Sequence, residues 1–376
     1  MEDLTSLIRY LIGASRIKYE VLENLYATIP TMQYRMGVMY VDAHSIFYRL
    51  FREKDFSTVY ADNMNELVRD LVVGFFNVLG HYRRFMATRL QMDNDIYVMF
   101  NPTMPKWHEY YMDYNGWCHD KYKRYDQKHP DYGFHAKAIR KAYSFIVGLS
   151  PYFEGIYCID NDGIDEFALM ARMSFADDIF YTIHSRNVYC TQFLRKNVVQ
   201  LVNRRDNSRI ISESNCYKDG VLYDKKTEAC DKLTPDMLPL IWTLGGCSDV
   251  GVKPSEVVSG LSPAIRIANK MAEAGDLVPG MSIQSFLDAA EKYVKTKVSM
   301  KAERKTLERR YKVLSAHMAG AAITTDQVAR VKSMCYDVFD ETELEQLNEM
   351  LALGEVDPEL LEIGNLNMSE AVRYDY

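Results

Sequence analysis

Five short apolar runs, separated by stretches of helical period, occupy residues 36–202. They are 38–41, 95–100, 155–159, 179–184 and 198–202, and Asp42, Asn101 and Asp160 close the first three. Runs of this length suit strands buried on both faces. Between them, 63–90, 135–149 and about 164–174 place apolar residues at helical spacing. Strands alternating with helices predict an α/β layer architecture with a mostly parallel sheet. From Arg209 to Leu233 the pattern becomes polar and irregular. Thr234-Pro235, an N-cap residue followed by proline at the first helical position, then opens a region that reads as helix almost throughout. A second, all-α unit therefore begins near 234. Residues 2–29 read as one or two further helices ending near Pro30.

The 376 residues, 48% hydrophobic, are ample for two or three structural units. They exclude a disordered, collagen-like or disulfide-stapled chain. Seven cysteines, odd in number and never spaced CxxC, read as reduced thiols. The longest apolar run, Leu71 to Gly80, is about half a membrane span. The first twenty residues lack the basic-then-apolar order of a signal peptide. The expectation is a cytoplasmic protein with no membrane partner.

Net charge is −7, unevenly placed. From Cys335 onward twelve acidic residues face one basic residue, Arg373, so the rest of the chain is mildly basic. A basic body can hold a phosphate backbone, while an acidic tail competes with it or simply solubilises the protein. The eight histidines form no HxxxH pair, and no GxxxxGK[ST], GxSxG or GxGxxG segment occurs. Nucleotide hydrolysis of the P-loop type is thereby excluded.

In an open α/β sheet, ligands bind beyond the carboxyl ends of the strands. Here those ends bring Asp42, Asn101, the Asp160, Asp162, Asp165, Glu166 group, and Ser185-Arg186-Asn187. Carboxylates collected in this way suit Mg²⁺ or Mn²⁺, which prefer oxygen ligands, and a pair of such ions drives phosphodiester cleavage. Taken singly, each acid equally fits helix N-terminal charge or loop chemistry.

The order of segments over roughly 36–275 resembles the 5′-nuclease superfamily, the flap-endonuclease and phage-type 5′–3′ exonuclease group with a PIN-like core. MYVDAHSIFYRLF resembles the family's first strand, with Asp42 on a metal-ligand aspartate and Arg49 on the following helix. IYVMFNPTMPKWHEYY resembles the second strand, and HDKYKRYDQK falls at the family's arch, through which single strands thread. GIDEFALMA places Asp165 and Glu166 on paired acids; the acid the family has before them has no match, although Asp162 lies nearby. TPDMLPLIWTLGGCSDVGV with SGLSPAIRIANKM resembles the helix–hairpin–helix that grips duplex DNA, with Asp249 on a ligand position and Gly260-Leu261-Ser262 at the hairpin.

The departures fall on the chemistry. Asn101, Asn187, Tyr189 and Cys247 stand where the family has carboxylates, leaving Asp42, Asp165, Glu166 and Asp249. The resemblance thus implies a degenerate site holding one Mg²⁺ or Mn²⁺ ion at most, because amides replace carboxylates poorly. If the site is active, Lys121, Lys123 and Arg124 take the catalytic positions beside the scissile phosphate.

Basic and aromatic residues interleave across 103–134, where Lys121, Lys123, Arg124 and Lys128 offer charge and Trp107, Trp117, Tyr122 and Tyr125 offer stacking surfaces. A semi-buried helical lid fits the same pattern. Gly260 and Ser262 would let hairpin N–H groups approach a phosphate, with Lys270 adding charge. The expected organisation is an N-terminal helical extension (1–35), a PIN-like core (36–233) with its arch (103–134), a helix–hairpin–helix region (234–299) and a helical, acidic extension (300–376). The expected partner is DNA, with RNA the alternative, and a protein partner for the C-terminal extension. Three functions stay open: a nucleic-acid binder with reduced or absent cleavage, an active metal-dependent 5′ nuclease, and a scaffold that reuses the fold. The family's frequency in phages and viruses would put the protein in host cytoplasm.

Overall fold

The structure, a computed structural model, describes residues 36–53, 64–89, 94–100, 132–150, 156–160, 165–173, 175–202, 209–216, 232–247, 250, 252–294 and 299–327. Its first half alternates as the apolar runs require: β1 (Met36–Asp42), α1 (Ala43–Glu53), α2 (Met64–Arg89), β2 (Asn94–Phe100), α3 (Tyr132–Leu149), β3 (Ile156–Asp160), α4 (Glu166–Met173) and β4 (Ile179–His184). A 3₁₀ turn (Val188–Phe193), β5 (Val198–Val202) and β6 (Arg209–Ile211) follow. A 3₁₀ turn at Pro235–Met237 leads into α5 (Leu238–Gly245), α6 (Leu261–Glu273), α7 (Ile283–Ala290), α8 (Met300–Leu314) and α9 (Ala316–Ala321).

The six strands lie in the order β3-β2-β1-β4-β5-β6. All neighbours are parallel except β5 and β6, which pair antiparallel. β6 corrects the sequence reading, which left 209–211 irregular. Three residues are too few to show a period, and the strand is defined only by its pairing with the preceding β5, Val202 against Arg209.

Alternate strand residues point to opposite faces. Met39, Val41, Ile96, Val98, Ile156 and Cys158 pack against α1, α2 and α3, around Phe47, Phe75 and Tyr143. Val38, Tyr40, Tyr181 and Ile183 face the second core, built from α4 through α9. There Tyr40 stacks on Tyr181 at 5.7 Å between centroids, and Phe175 meets both rings edge-on. The helical second half therefore covers one face of the sheet and shares its core. No helix among the described residues is long and apolar enough to cross a membrane.

Candidate functional site

The chain runs outward from β1 to β2 and β3, then returns to place β4 on the other side of β1. At such a reversal, between the ends of β1 and β4, open α/β sheets hold their ligands in a crevice. Asp42 ends β1 at this point and is 5% exposed. Its Oδ1 accepts the His44 N–H at 3.0 Å, and its Oδ2 accepts the hydroxyls of Ser45 and Ser185, each at 2.8 Å. Ser185 comes from the residue after β4, so the carboxylate spans the crevice floor.

A second layer fixes these donors. Ser45 Oγ accepts the Arg186 N–H at 2.9 Å, and Ser185 Oγ accepts that of Asn187 at 3.1 Å. From β5, the Gln200 amide donates to the carbonyls of Ser185 and Asn187 at 3.0 and 3.1 Å. Sequence reading missed Ser45 and Gln200, whose role exists only once β1, β4 and β5 are adjacent. Ser45, three residues beyond a strand-end aspartate, was the only local signal.

Asp165 and Glu166 open α4. Asp165 Oδ1 accepts the Ala168 N–H at 2.8 Å, the geometry of a helix N-cap. Burial pushes the Asp165 carboxyl up to about 6 against the opposing pull of the Ala168 and Phe167 N–H groups, and the negative charge of Asp42 adds to the rise. Burial also raises Glu166 well above the ordinary carboxylate range, followed by repulsion from Asp165 and Asp42. The fold thus brings Asp42, Asp165 and Glu166 within electrostatic reach of one another. Among the described residues no group of three His, Cys, Asp or Glu side chains is gathered closely enough to hold a metal ion. The three acids repel without forming a closed cage.

Their oxygen donors are nevertheless of the kind a hard cation takes. Among the described residues, Asp42 Oδ2 accepts two hydroxyls, whereas Oδ1 accepts one N–H. Repulsion among buried carboxylates is the imbalance that a divalent ion relieves.

The residues standing on expected carboxylate positions are put to other uses. Asn187 caps the 3₁₀ turn, its Oδ1 accepting the Tyr189 N–H at 2.9 Å. Tyr189 is 1% exposed, stacks on Trp242 at 5.9 Å and donates its hydroxyl to the Val313 carbonyl at 2.9 Å. Burial, then the nearby Asp165, raises its phenol well above the usual value. Cys247 is buried, and its backbone forms an antiparallel bridge with Val252. Asn101 lies outside the described residues.

The α5–α6 corner is tight. Gly246 sits at φ +77°, and a Cβ there would meet the Lys253 carbonyl carbon and Pro254 nitrogen at 2.6 Å. The buried Arg310 of α8 ties the same corner, donating to the carbonyls of Thr243 at 3.3 Å and Pro254 at 3.2 Å. Gly260 N-caps α6 without a side-chain bond, and open space surrounds it. Leu261 packs on the core, Ser262 and Lys270 are exposed, and Arg266 lies between them at four-residue spacing. Thr234 does precede a helical turn with proline first, but its hydroxyl bonds the Asp236 carboxylate and not a backbone N–H.

Arg49 lies on α1. Lys121, Lys123, Arg124, Lys128, Trp117 and Tyr122, with the whole arch-like region, lie outside the described residues, as do Asp249 and most of the acidic extension.

No protein-family profile matches the sequence, and no curated protein matches it. Solved structures do. T5 5′-exonuclease with divalent zinc ions superposes with a TM-score of 0.51 at 11% identity, covering 88% of this chain and 100% of the other. A bacteriophage T5 flap endonuclease in a pseudo-enzyme-product complex with DNA and metal ions gives 0.51 at 10%, covering 87% and 99%. A T5 protein co-crystallised with metal ions gives 0.51 at 11%, covering 88% and 100%. At such identities the likeness speaks to architecture, and the architecture of this chain is the 5′-nuclease fold.

Proposed function

We propose that the chain binds nucleic acid, engaging branched or single-strand-ended DNA with reduced or absent cleavage. One observation carries this reading. Tyr189, on a position where the 5′-nuclease pattern has a carboxylate, is buried against Trp242 with its hydroxyl committed to Val313. That place is core packing, and a second ion there would lack its ligands. Asp42, Asp165 and Glu166 would hold a single Mg²⁺ or Mn²⁺ ion. Such an ion supplies charge neutralisation to a phosphate. Around it, Ser45 and Ser185 orient Asp42, while the Gly260–Ser262 turn and Lys270 offer small, cationic surface to a duplex backbone. The DNA-bound T5 relative supports nucleic acid as partner.

A second reading, an active 5′ nuclease, is favoured by Asp165 and Glu166 standing together near Asp42, their carboxyls raised first by burial and then by neighbouring negative charge, as acids at functional sites often are. The deciding experiment uses labelled 5′-flap DNA. Salt-sensitive binding in EDTA, with no product in Mg²⁺ or Mn²⁺, supports the binder. Metal-dependent product that Asp42→Ala/Asp165→Ala loses replaces it with the nuclease. Neither binding nor product overturns both and moves the role to protein assembly.

A further inference from the structure

Helix α8 carries six basic and two acidic residues in a chain whose net charge is −7. Their placement is segregated. Leu307, Arg310, Val313 and Leu314 are buried, and the helix lies against α5 and α7. Lys301, Lys305, Arg309 and Lys312 are exposed. At about 100° per residue these four fall within an arc of about 80°, opposite the buried face, and they extend over about 16 Å of axis.

The neighbouring acids do not pair with the three lysines of this face. Glu308 pairs with Arg304, whose guanidinium also holds Asp288 at 2.6 Å, so that cation belongs to the α7–α8 contact. None of the ion pairs found among the described residues uses Lys301, Lys305 or Lys312. An ordinary solvated helix face interleaves both signs; this one presents cations alone. A straight row of three or four charges matches a polyanion of regular spacing, and duplex DNA offers one phosphate per about 1.7 Å of axis. Arg310, on the opposite side of α8, is tied to Pro254 in the loop leading to the α6 turn. The stripe is thereby anchored to the helix–hairpin–helix region instead of sitting on an independent arm.

We propose that the exposed stripe of α8, Lys301, Lys305 and Lys312 with Arg309 beside them, is a phosphate-backbone contact for duplex nucleic acid. This rests on the reading of the chain as a nucleic-acid binder and adds to it a surface on a different helix from the Gly260–Ser262 turn. Because the contact is to phosphate, it adds affinity and salt dependence without sequence preference.

The test measures anisotropy of a fluorescent 5′-flap duplex against the full-length protein in EDTA, over a series of NaCl concentrations. The wild type is compared with Lys301→Gln/Lys305→Gln/Lys312→Gln and with Lys137→Gln/Arg140→Gln/Lys141→Gln, an equal charge change on exposed positions of α3. All substituted side chains are exposed, so unchanged melting confirms folding. The stripe variant is expected to bind at least tenfold more weakly near 100 mM salt, with a slope of log K against log[salt] shallower by about 2–3, roughly 0.9 per phosphate contact. The α3 variant should stay within about threefold of wild type. Equal behaviour of the two variants overturns the stripe while leaving nucleic-acid binding intact. Tighter binding by the stripe variant overturns it as well, and assigns the stripe to this chain's acidic C-terminal residues. Absence of wild-type binding overturns the functional reading and the stripe together.

Discussion

The Oε1 of Gln192 accepts the backbone N–H of Ala316 at 2.9 Å, joining residues 124 apart. The same amide donates to the carbonyls of Tyr189 at 2.9 Å and Leu314 at 3.4 Å. One buried side chain therefore satisfies the break between α8 and α9 and fastens it to the 3₁₀ turn that holds Tyr189. Replacing it with leucine orphans a buried N–H and at least one carbonyl. Gln192→Leu should lower unfolding free energy by about 2–4 kcal/mol in urea titration, at about 1–3 kcal/mol per buried group left unpaired. A loss below 0.5 kcal/mol would show that the junction is held by packing alone.

The carboxylates at the crevice strain against one another, and this has a measurable sign. Asp165→Asn keeps the oxygen that caps α4 while removing a charge that burial and Asp42 disfavour. In EDTA at pH 8 the variant should melt higher than wild type, by on the order of 1–3 kcal/mol of stability. Millimolar Mn²⁺ should raise the wild-type melting temperature and leave the variant unmoved, since only the wild type gains ligand-linked stability. Equal metal shifts in both proteins would remove Asp165 from the ligand set.

His317 supplies a pH dependence of the opposite kind. Its ring meets Phe193 edge-on at 5.5 Å. Partial burial, then repulsion from Arg195, holds the imidazole below its ordinary range, with Asp236 opposing. The fold therefore favours the neutral ring. Its contribution is complete above the unfolded value of about 6.5 and is lost as pH falls through the lowered folded value. Relative to His317→Gln, the wild type should lose stability as pH falls below about 6.5, modestly, because the ring's rim is solvated. A melting difference that stays constant with pH would refute this.

Gly246 tests the corner that precedes α6. An alanine there would need both φ +77° and a Cβ within 2.6 Å of the Lys253–Pro254 backbone. Gly246→Ala should cost more than about 2 kcal/mol, combining backbone strain with a clash that no side-chain rotation relieves. Gly275→Ala, at the same φ but with nothing within 4 Å, should cost only the strain. Similar losses in the two variants would mean the corner yields.

The sequence displayed the sheet well because its strands are buried on both faces and so appear as unbroken apolar runs. The runs at 179–184 and 198–202 match β4 and β5 residue for residue. Asp42 and the Asp165–Glu166 pair could be found because strand ends collect ligands in such sheets. What stayed hidden depends on partners that no local pattern announces. β6 needs β5, Tyr189 needs Trp242 and Val313, and Gln200 needs the loop after β4. Tyr189 in particular read as a missing acid, whereas its location makes it one of the largest fully buried side chains among the described residues.

Gly320 packs α9 flush against α4: a Cβ there would come within 2.7 Å of the Ala168 carbonyl oxygen. Because α4 carries Asp165 and Glu166, the acids are backed by residues that leave the ribosome some 150 positions after them. Translation adds about 5–20 residues per second. For many seconds, then, the acids of a nascent chain are without the wall behind them. The site is finished only after residue 316 has emerged, and a ribosome stalled before it would carry a chain whose acidic helix still lacks its backing.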